Sequence, residues 1–193
     1  MSKHKSQFPV KVWFTSDLHF GHANIIRYCD RPFRTVKEMD AMLIHNWNSR
    51  VNKHDVVIVL GDFCYGKPNK YMNRLNGHIT FLKGNHDDRD SLDARILYLV
   101  ANVEGREIFC THEPEDFSNA YALNLVGHIH KLWAVKKIYN SYLVNVGVDV
   151  WNYEPVSIQD ISDRLNAFVE NNRYNNNNNG NGGTYTNGNA NFK

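Results

Sequence analysis

The sequence predicts an α/β protein in which two packed mixed β-sheets are flanked by helices, a four-layer α/β/β/α sandwich. Three observations support this prediction. Short apolar runs alternate with helical patterns in the first half, hairpin turns separate strand-like runs in the second half, and five of the runs end in polar clusters. With 193 residues, 42% of them hydrophobic, the chain is long enough for one domain with a substantial core.

The first half predicts parallel strands joined by helices. Three apolar runs predict its strands: Lys11–Ser16, Asp55–Leu60 and Ile79–Lys83. The continuous β-branched run after Asp55 indicates a strand that is covered on both faces. Thr35 and Glu38 form a capping box, and apolar residues follow at helical spacing, so we expect a helix over Val36–Arg50. A short helix over Asn69–Leu75 leads into the third strand.

The second half predicts hairpins and a closing helix. Its strand-like runs are Leu97–Val103, Arg106–Thr111, Leu123–Val126, Leu132–Tyr139 and Tyr142–Val146. The dipeptides Glu104-Gly105 and Asn140-Ser141 each separate two of these runs and are expected to form the hairpin turns. Ser157 and Asp160 mark the start of a helix that we expect to end at Val169.

We expect residues 1–170 to form one domain and residues 171–193 to form a disordered tail. From Asn171 onward the sequence consists largely of Asn, Gly, Thr and Tyr, with almost no aliphatic residues to bury. Such a segment cannot offset the entropy that is lost on ordering. A tail that self-associates or binds a partner is the functional alternative.

The overall composition narrows the class of protein. A formal charge of +2 gives no basis for a nucleic-acid or membrane surface, and the longest aliphatic run, Val56–Leu60, is far shorter than the roughly 20 residues that span a bilayer. Residues 1–10 contain no segment resembling a signal peptide. The three cysteines are odd in number and form no CxxC pair, so we expect no disulfide framework and a cytoplasmic location.

Five polar clusters follow the predicted strands and together indicate a metal centre. The clusters are Asp17-Leu18-His19, Gly61-Asp62, Gly84-Asn85-His86-Asp87, Thr111-His112 and Gly127-His128-Ile129-His130. Taken singly, each cluster is more typical of a turn or of a buried imidazole than of a ligand. All five offer carboxylate, amide or imidazole groups, and their recurrence at strand ends predicts ligands gathered at one edge of a sheet.

The chemistry of phosphate-ester hydrolysis explains why two cations would be held there. Two divalent cations about 3.5–4 Å apart neutralise phosphoryl charge and acidify a bridging water. Asp62, alone after its strand, is the natural carboxylate to bridge them. Two shells would then form: Asp17, His19 and one of His128 and His130 in one, and Asn85, His112 and the other histidine in the second. The two-residue spacing from His128 to His130 directs both imidazoles to one side of an extended segment.

In their order and spacing, these motifs resemble those of the calcineurin-like metallophosphoesterase superfamily. The set is D-x-H, G-D, G-N-H-D, H and G-H-x-H, and it extends from Val12 to about Asp149. The sequences around Leu18–His22 and Gly61–Phe63 are most similar to the small bacterial and phage phosphoesterases. The resemblance implies the α/β/β/α sandwich, with a dinuclear metal site at the carboxyl ends of its strands.

The resemblance also implies a role for each ligand. It assigns Asp17, His19, Asp62 and His130 to the first metal, and Asp62, Asn85, His112 and His128 to the second. It makes Asp62 and His86 catalytic. His86 would stabilise the transition state or protonate the leaving oxygen during in-line attack by a metal-bridging hydroxide. The implied cofactors are two divalent metal ions, with manganese preferred to iron, zinc or nickel; the mixed oxygen and nitrogen donors fit all four.

One departure from the superfamily pattern narrows the substrate class. Protein-phosphatase-like members carry Asp-Arg-Gly after the G-D motif, and its aspartate orients the catalytic histidine. Here Asp62 is followed by Phe63-Cys64-Tyr65-Gly66, so that aspartate is missing. The resemblance therefore argues against Ser/Thr protein phosphatase activity. It leaves Asp87 or Asp88 to orient His86, or leaves this histidine without an acid partner.

Residues near the first motif are candidates for binding substrate. His22 and Asn24 are the candidates to reach a phosphate oxygen. Three arginines would hold a second phosphate or a nucleotide: Arg27, Arg31 and Arg34. The alternative is that these arginines only cover a solvated face or pair with Glu38 and Asp30. Four aromatic residues would form an apolar wall for a base or else pack in the core: Phe20, Tyr28, Phe33 and Tyr65.

The expected function is hydrolysis of a phosphodiester or phosphomonoester. The expected partner is a small phosphorylated substrate such as a nucleotide, and no membrane partner is expected. The first alternative is a non-catalytic metal-site scaffold for protein interaction, against which the intact Gly-Asn-His-Asp around His86 argues. The second alternative is a nuclease, which the small net charge disfavours because nothing predicts a basic track for a polymer.

Overall fold

Nine strands and four α-helices form the part of the chain that this computed structural model describes, residues 9–87 and 94–178. The strands are β1 (Val12–Thr15), β2 (Val56–Val59), β3 (His78–Phe81), β4 (Tyr98–Val103), β5 (Arg106–Thr111), β6 (Leu123–Val126), β7 (Val135–Ile138), β8 (Ser141–Asn145) and β9 (Val156–Ser157). The helices are α1 (Ala23–Tyr28), α2 (Val36–Arg50), α3 (Asn69–Met72) and α4 (Ile158–Asn178). None of the helices within these ranges combines the length and the apolar character needed to cross a lipid bilayer.

The strands form two mixed sheets, as predicted. In the first sheet, of order β3-β2-β1-β9, the strands β1, β2 and β3 are parallel and β9 is antiparallel to β1. In the second sheet, of order β4-β5-β6-β8-β7, the strands β5, β6 and β8 are parallel and the two edge strands are antiparallel to their neighbours. Each sheet therefore has an edge at which the carboxyl ends of three parallel strands lie side by side.

Apolar residues on both faces of the first sheet hold the layers together. Along β2, Val57 and Val59 pack in a cluster with Leu43 and Trp47 of α2, whereas Ile58 packs in the cluster between the two sheets. Burial of both faces explains why this strand is a continuous aliphatic run without polar alternation. The predicted α/β/β/α sandwich is confirmed.

Helix α2 has the bounds that the sequence predicts. The side-chain oxygen of Thr35 accepts the backbone N–H of Glu38 at 3.2 Å, which satisfies one of the unpaired donors of the first turn. Met39, Leu43 and Trp47 recur at helical spacing and are buried against the sheet. Capping and amphipathic spacing therefore determine this element together.

Both predicted hairpins form, but the second turn lies one residue earlier than predicted, at Tyr139-Asn140, because Ser141 of β8 already pairs with Ile138 of β7. Glu104 and Gly105 have φ values of 53° and 77°, as a type I′ turn requires. Strand β7 begins at Val135 rather than three residues earlier. The reason is that the amide of Asn145 donates to the carbonyls of His130 and Trp133 at 2.7 and 3.0 Å and holds the intervening residues in a turn.

Helix α4 is longer than predicted. It begins with the expected capping box, in which Ser157 and Asp160 exchange hydrogen bonds. It continues past Val169 to Asn178, and its residues from Phe168 to Arg173 lie beside β7. The first part of the segment predicted to be disordered is therefore helical. The remainder lies outside the described residues, and disorder there stays a prediction.

Candidate metal centre

The five polar clusters meet where the carboxyl edges of the two sheets adjoin. A parallel bridge pairs Ser16, just after β1, with Gly147, just after β8. The backbone N–H of Asp17 donates to the carbonyl of Gly61 at 3.1 Å. The sequence predicted ligands along one edge of one sheet. Instead they come from both sheets, from the loops that follow β1, β2, β3, β5 and β6.

Five of the predicted ligands have a left-handed backbone conformation. They are Asp17 (φ 57°), His19 (φ 50°), Asp62 (φ 55°), His128 (φ 71°) and His130 (φ 47°). The described residues include ten non-glycine positions of this kind, so the ligand set contains half of them. A non-glycine residue in this conformation costs of order 1–3 kcal/mol of backbone strain. Such residues persist where the surrounding structure fixes the backbone, typically at functional sites. The strain therefore marks this edge as a site.

The first half of the centre is formed by Asp17, His19 and His130, whose donor atoms lie within 4.8 Å of one another. The Nε2 atom of His19 is buried and has no hydrogen-bond partner. Burial, reinforced by the positive charge of Arg31, keeps the pKa of His19 well below its usual range, so its ring is neutral. A neutral imidazole offers a lone pair that a cation can accept.

A divalent cation between His19 and Asp62 would satisfy this nitrogen. Two ligands about 2.1 Å from one ion lie about 3.4 Å apart at a tetrahedral angle. His19 Nε2 and Asp62 Oδ2 lie 3.5 Å apart. Burial also raises the pKa of Asp17 above its ordinary value, and a bound cation would oppose that effect by stabilising the carboxylate. The residues of the first half therefore fit a cation.

The second half of the centre brings lone pairs together in the same way. The Nδ1 atom of His112 lies 2.6 Å from the carbonyl oxygen of Leu60, which only accepts, so this nitrogen carries the proton in the neutral ring. The Nε2 atom of His112 faces two oxygens, Asn85 Oδ1 at 3.1 Å and Asp62 Oδ2 at 3.6 Å. His128 Nδ1 also lies 3.1 Å from the Asn85 oxygen. This mixed oxygen and nitrogen set fits a second divalent cation.

Asp62 lies between the two halves. Its Oδ2 atom faces His19 at 3.5 Å and His112 at 3.6 Å, while its Oδ1 atom accepts the backbone N–H of His86 at 2.9 Å. One carboxylate oxygen is therefore directed at both sets of ligands, as a bridging ligand requires. Gly84 permits this approach, because a Cβ atom there would overlap the Asp62 carboxylate.

Asp87 holds the loops that carry Asp62 and His86. Its carboxylate accepts the backbone N–H groups of Asp62 at 2.9 Å, Phe63 at 3.1 Å and Gly84 at 2.8 Å. Because three backbone donors occupy this carboxylate, Asp87 positions the loops, and no hydrogen bond to the His86 ring is observed. Asp88, the other acid proposed to orient His86, lies outside the described residues.

A buried ion pair beneath the first half was missed by the sequence analysis. Arg31 donates from Nε and Nη2 to the two carboxylate oxygens of Asp149, each at 2.9 Å, and both side chains are fully buried. The same guanidinium donates to the carbonyls of Leu18 at 3.0 Å and Asp17 at 2.6 Å. Arg31 therefore supports the loop after β1, which corrects the expectations that it binds a second phosphate or pairs with Asp30 or Glu38.

Asp149 also orients a predicted ligand. Its Oδ2 atom lies 2.8 Å from Nδ1 of His130. Although burial acts to lower it, hydrogen bonds with Asp149 and Cys29 raise the pKa of His130 to about 10. At this pKa the metal-free ring carries a proton on each nitrogen at neutral pH, so a cation that binds Nε2 would displace that proton, while Asp149 keeps the other proton on Nδ1. The sequence contains a signal for this role of Asp149, because this residue follows a sixth strand-like run, Tyr142–Val146, as the ligands follow the other five.

The predicted substrate residues are divided between a cleft and its surroundings. His22 and Asn24 line a cleft of about 460 Å³ whose lining also includes His19, Asp62 and His86. Arg27 is not part of the lining, and its guanidinium carbon lies 5.4 Å from the ring centroid of Tyr28. Of the four aromatic candidates, two line the cleft and two pack inside the protein. Tyr28 and Tyr65 are the lining pair; Phe20 and Phe33 are the packed pair.

Comparison with known proteins agrees with this architecture. A family model described as calcineurin-like phosphoesterase matches residues 10–175. An uncharacterized protein of Methanocaldococcus jannaschii is 36% identical over 163 residues, which cover 77% of this chain and 87% of that protein. The gene 66 protein of Mycobacterium phage L5 is 28% identical over 200 residues, with coverage of 82% and 96%.

A solved structure shares the fold. A protein of unknown function from Aquifex aeolicus superposes with a TM-score of 0.64 over 81% of this chain and 100% of that chain, at 22% sequence identity. The family model spans most of the chain, and the archaeal relative is more than 30% identical. The chain therefore belongs to the calcineurin-like phosphoesterase family.

Proposed function

We propose that this protein hydrolyses a phosphodiester or phosphomonoester of a nucleotide or another small molecule, with two divalent cations as cofactors. The observation that carries the proposal is the position of Asp62, whose single Oδ2 atom faces His19 at 3.5 Å and His112 at 3.6 Å. Manganese is the cation that we propose first, because the donor set of carboxylates, an amide and imidazoles suits it, and iron, zinc and nickel are the alternatives.

The side chains of the chain would hold the cations in two groups. The first group is Asp17, His19, Asp62 and His130, and the second is Asp62, Asn85, His112 and His128. When bound, such a pair neutralises the charge of the phosphoryl oxygens and lowers the pKa of the attacking water. Asp87 and the Arg31–Asp149 pair act on this chemistry indirectly, because they fix the loops that carry the ligands.

His86 is the residue that we propose to act on the leaving group. Its ring is exposed in the cleft, 5.4 Å between centroids from the ring of His19, and its backbone N–H is held by Asp62 at 2.9 Å. In the reaction, the oxygen of water bonds to phosphorus, the ester P–O bond breaks, and the water gives up one proton to solvent. The departing oxygen takes a proton from His86 and leaves as an alcohol, and His86 regains a proton from solvent. Proton donation then requires the protonated imidazole at the start of each turnover.

The compartment that we propose is the reducing cytoplasm. Cys29, Cys64 and Cys110 form no disulfide with one another, and Cys64 and Cys110 are buried. Cysteines that form no disulfide, one of which, Cys29, is partly accessible and hydrogen-bonded to His130, suit a compartment that keeps thiols reduced.

The proposal is tested with aryl phosphate esters. Purified protein freed of metal is supplied with Mn²⁺, and the hydrolysis of bis(p-nitrophenyl) phosphate and p-nitrophenyl phosphate is followed by absorbance. We expect Mn²⁺-dependent turnover, and a fall in kcat/KM of at least about a thousandfold in Asp62→Asn and Asn85→Ala, since loss of a ligand removes several kcal/mol of transition-state stabilisation. Near wild-type rates in either variant would contradict the proposal.

A matched control separates the site from the surface. Asp163→Asn changes an exposed carboxylate on α4 whose partner is Gln159, and it should leave turnover unchanged. Elemental analysis of each sample gives the number of cations per chain. Two cations bound without turnover of any ester would favour the non-catalytic scaffold instead.

A further inference from the structure

The cleft beside His19 and His86 has a wall made of three aromatic rings. The rings of His22 and Tyr65 are stacked, with centroids 5.4 Å apart and an interplanar angle of 23°. The ring of Tyr28 meets His22 edge-on, with centroids 6.5 Å apart. The wall leads directly to the metal-ligand side of the cleft, because Asp62 and His19 line the same space.

The two tyrosines of this wall remain largely open to solvent. Tyr65 is 58% exposed and Tyr28 is 65% exposed. A single exposed tyrosine needs no explanation. Two that border one cleft, next to a third ring, provide a stacking surface that the described part of the chain leaves uncovered.

Tyr65 is held in place by the backbone rather than by a mobile loop. The N–H of Phe20 donates to the carbonyl of Phe63 at 3.0 Å, and the N–H of Tyr65 donates to the carbonyl of Phe20 at 2.7 Å. Phe20 is itself fully buried against Tyr71. The backbone that carries the Tyr65 ring is therefore already ordered, so a ligand that covers the ring has only the side chain to order.

Among the described residues, no lysine or arginine lines the cleft to bind a second phosphate. Arg31, a candidate for that role, is buried and bonded to Asp149, while the guanidinium of Arg27 lies over the ring of Tyr28. The distinctive feature of the described lining is therefore its aromatic surface.

We infer that the wall of Tyr28, His22 and Tyr65 stacks a planar aromatic group of the substrate, a nucleobase or an aryl ring, while its single phosphoester lies at the metal ligands. This inference rests on the proposed function and names its substrate class. The cleft, at about 460 Å³, lies within the range of pockets that enclose a small ligand. Esters that carry one phosphate and a planar group are selected over sugar phosphates.

The test compares two ligands that differ only in the base. Adenosine 5′-monophosphate and ribose 5-phosphate share the phosphate and the 5′-oxygen as leaving group. Their affinities for the Mn²⁺-loaded protein are measured by titration calorimetry and as inhibition constants against bis(p-nitrophenyl) phosphate. We expect adenosine 5′-monophosphate to bind at least about tenfold more tightly, since stacking on an aromatic side chain strengthens binding by roughly five- to 150-fold per base and the wall offers two tyrosines.

Three variants assign the preference to the wall. Tyr65→Ala and Tyr28→Ala should each lower the ratio of the two affinities at least about fivefold and leave ribose 5-phosphate binding unchanged. Tyr65→Phe should preserve the ratio, because it keeps the ring. Tyr139→Ala removes a tyrosine that is 81% exposed in the turn between β7 and β8, outside the cleft, and should also preserve it.

The outcomes for the two proposals are separate. Equal affinities in the wild type, or a ratio that survives both alanine substitutions, would overturn the stacking inference even if the esters are hydrolysed. Failure of every ester to be hydrolysed would overturn the proposed function. The calorimetric ratio would still decide whether the wall binds a base. A preference for aryl esters over adenosine 5′-monophosphate, with the same response to Tyr65→Ala, would identify the aryl ring as the group bound.

Discussion

Asp17 and Asp55 are both buried aspartates of the first sheet, but they lie at opposite ends of its strands and are held differently. The carboxylate of Asp55, just before β2, accepts from three donors: Lys11 N–H at 3.1 Å, Trp13 Nε1–H at 3.0 Å and Asn52 N–H at 2.9 Å. The carboxylate of Asp17, just after β1, accepts the backbone N–H of His128 at 2.9 and 3.1 Å to its two oxygens.

The pKa values of the two carboxyl groups shift in opposite directions for this reason. Burial acts to raise the pKa of Asp55, but its hydrogen-bond donors outweigh burial and bring the pKa below its ordinary value. At Asp17 burial prevails, and the attraction of nearby imidazoles does not offset it, so the pKa is raised. A buried aspartate that the chain itself satisfies is structural, whereas one that has fewer donors and lies among imidazole ligands is suited to a cation.

The largest expected effect is the loss of activity in Asp17→Asn. This change removes a proposed ligand of the first cation, and kcat/KM for an aryl phosphate ester should fall at least about a thousandfold. Without metal, the variant should unfold in urea at the same or a higher concentration than the wild type, because a poorly satisfied buried charge is gone. A clear loss of metal-free stability would show that Asp17, like Asp55, is structural.

The next effect is the loss of stability in Asp55→Ala. Three N–H donors would lose their acceptor in a buried place, and the free energy of unfolding should fall by about 3 kcal/mol. Urea unfolding in the presence of a chelator measures this change without a contribution from bound metal. The rate of ester hydrolysis per folded molecule should remain that of the wild type. A thousandfold lower rate in this variant would show that Asp55, like Asp17, is needed for activity.

The smallest effect is the dependence of the Asp55 contribution on pH. Because the folded-state pKa of Asp55 lies below the ordinary value of 3.8, its stabilisation is fully present above that value and is lost as the pH falls through the folded pKa. The difference in unfolding free energy between wild type and Asp55→Asn should be constant near neutral pH and should shrink below pH 3.8. A constant difference down to pH 2.5 would assign the effect to packing.

Local signals explain why much of the fold was predictable from sequence. Helix α2 follows from the capping box at Thr35 and the buried spacing of Leu43 and Trp47, which act within a few turns of chain. Strand β9 has only two residues, Val156 and Ser157, and carries no periodic pattern to detect. The later part of α4 lies beside β7, and no local pattern reveals this contact between separate segments of the chain.

The metal-ligand residues could be predicted from the sequence, because each belongs to a short motif after a strand. The contacts between distant residues that support those ligands could not. The residue types of each polar cluster and its position after a strand can both be read from the sequence, so Asp62 and His112 could be selected as ligands. The link between Arg31 and Asp149 spans 118 residues, and no short-range pattern reveals it. Likewise, the sequence does not distinguish a buried Phe20 from an exposed Tyr65, since both follow the first motifs and differ only in what covers them.

The span of the Arg31–Asp149 pair has a consequence for the order of events during synthesis. The guanidinium that supports the first ligand loop receives its carboxylate partner only when the chain has grown 118 residues further. In a nascent chain that has been synthesised only through its third ligand cluster, Arg31 therefore lacks its carboxylate partner, and the loop after β1 lacks the support of that ion pair. Completion of the first half of the candidate metal centre therefore requires nearly the whole domain, because the carboxylate that holds Arg31 lies at position 149.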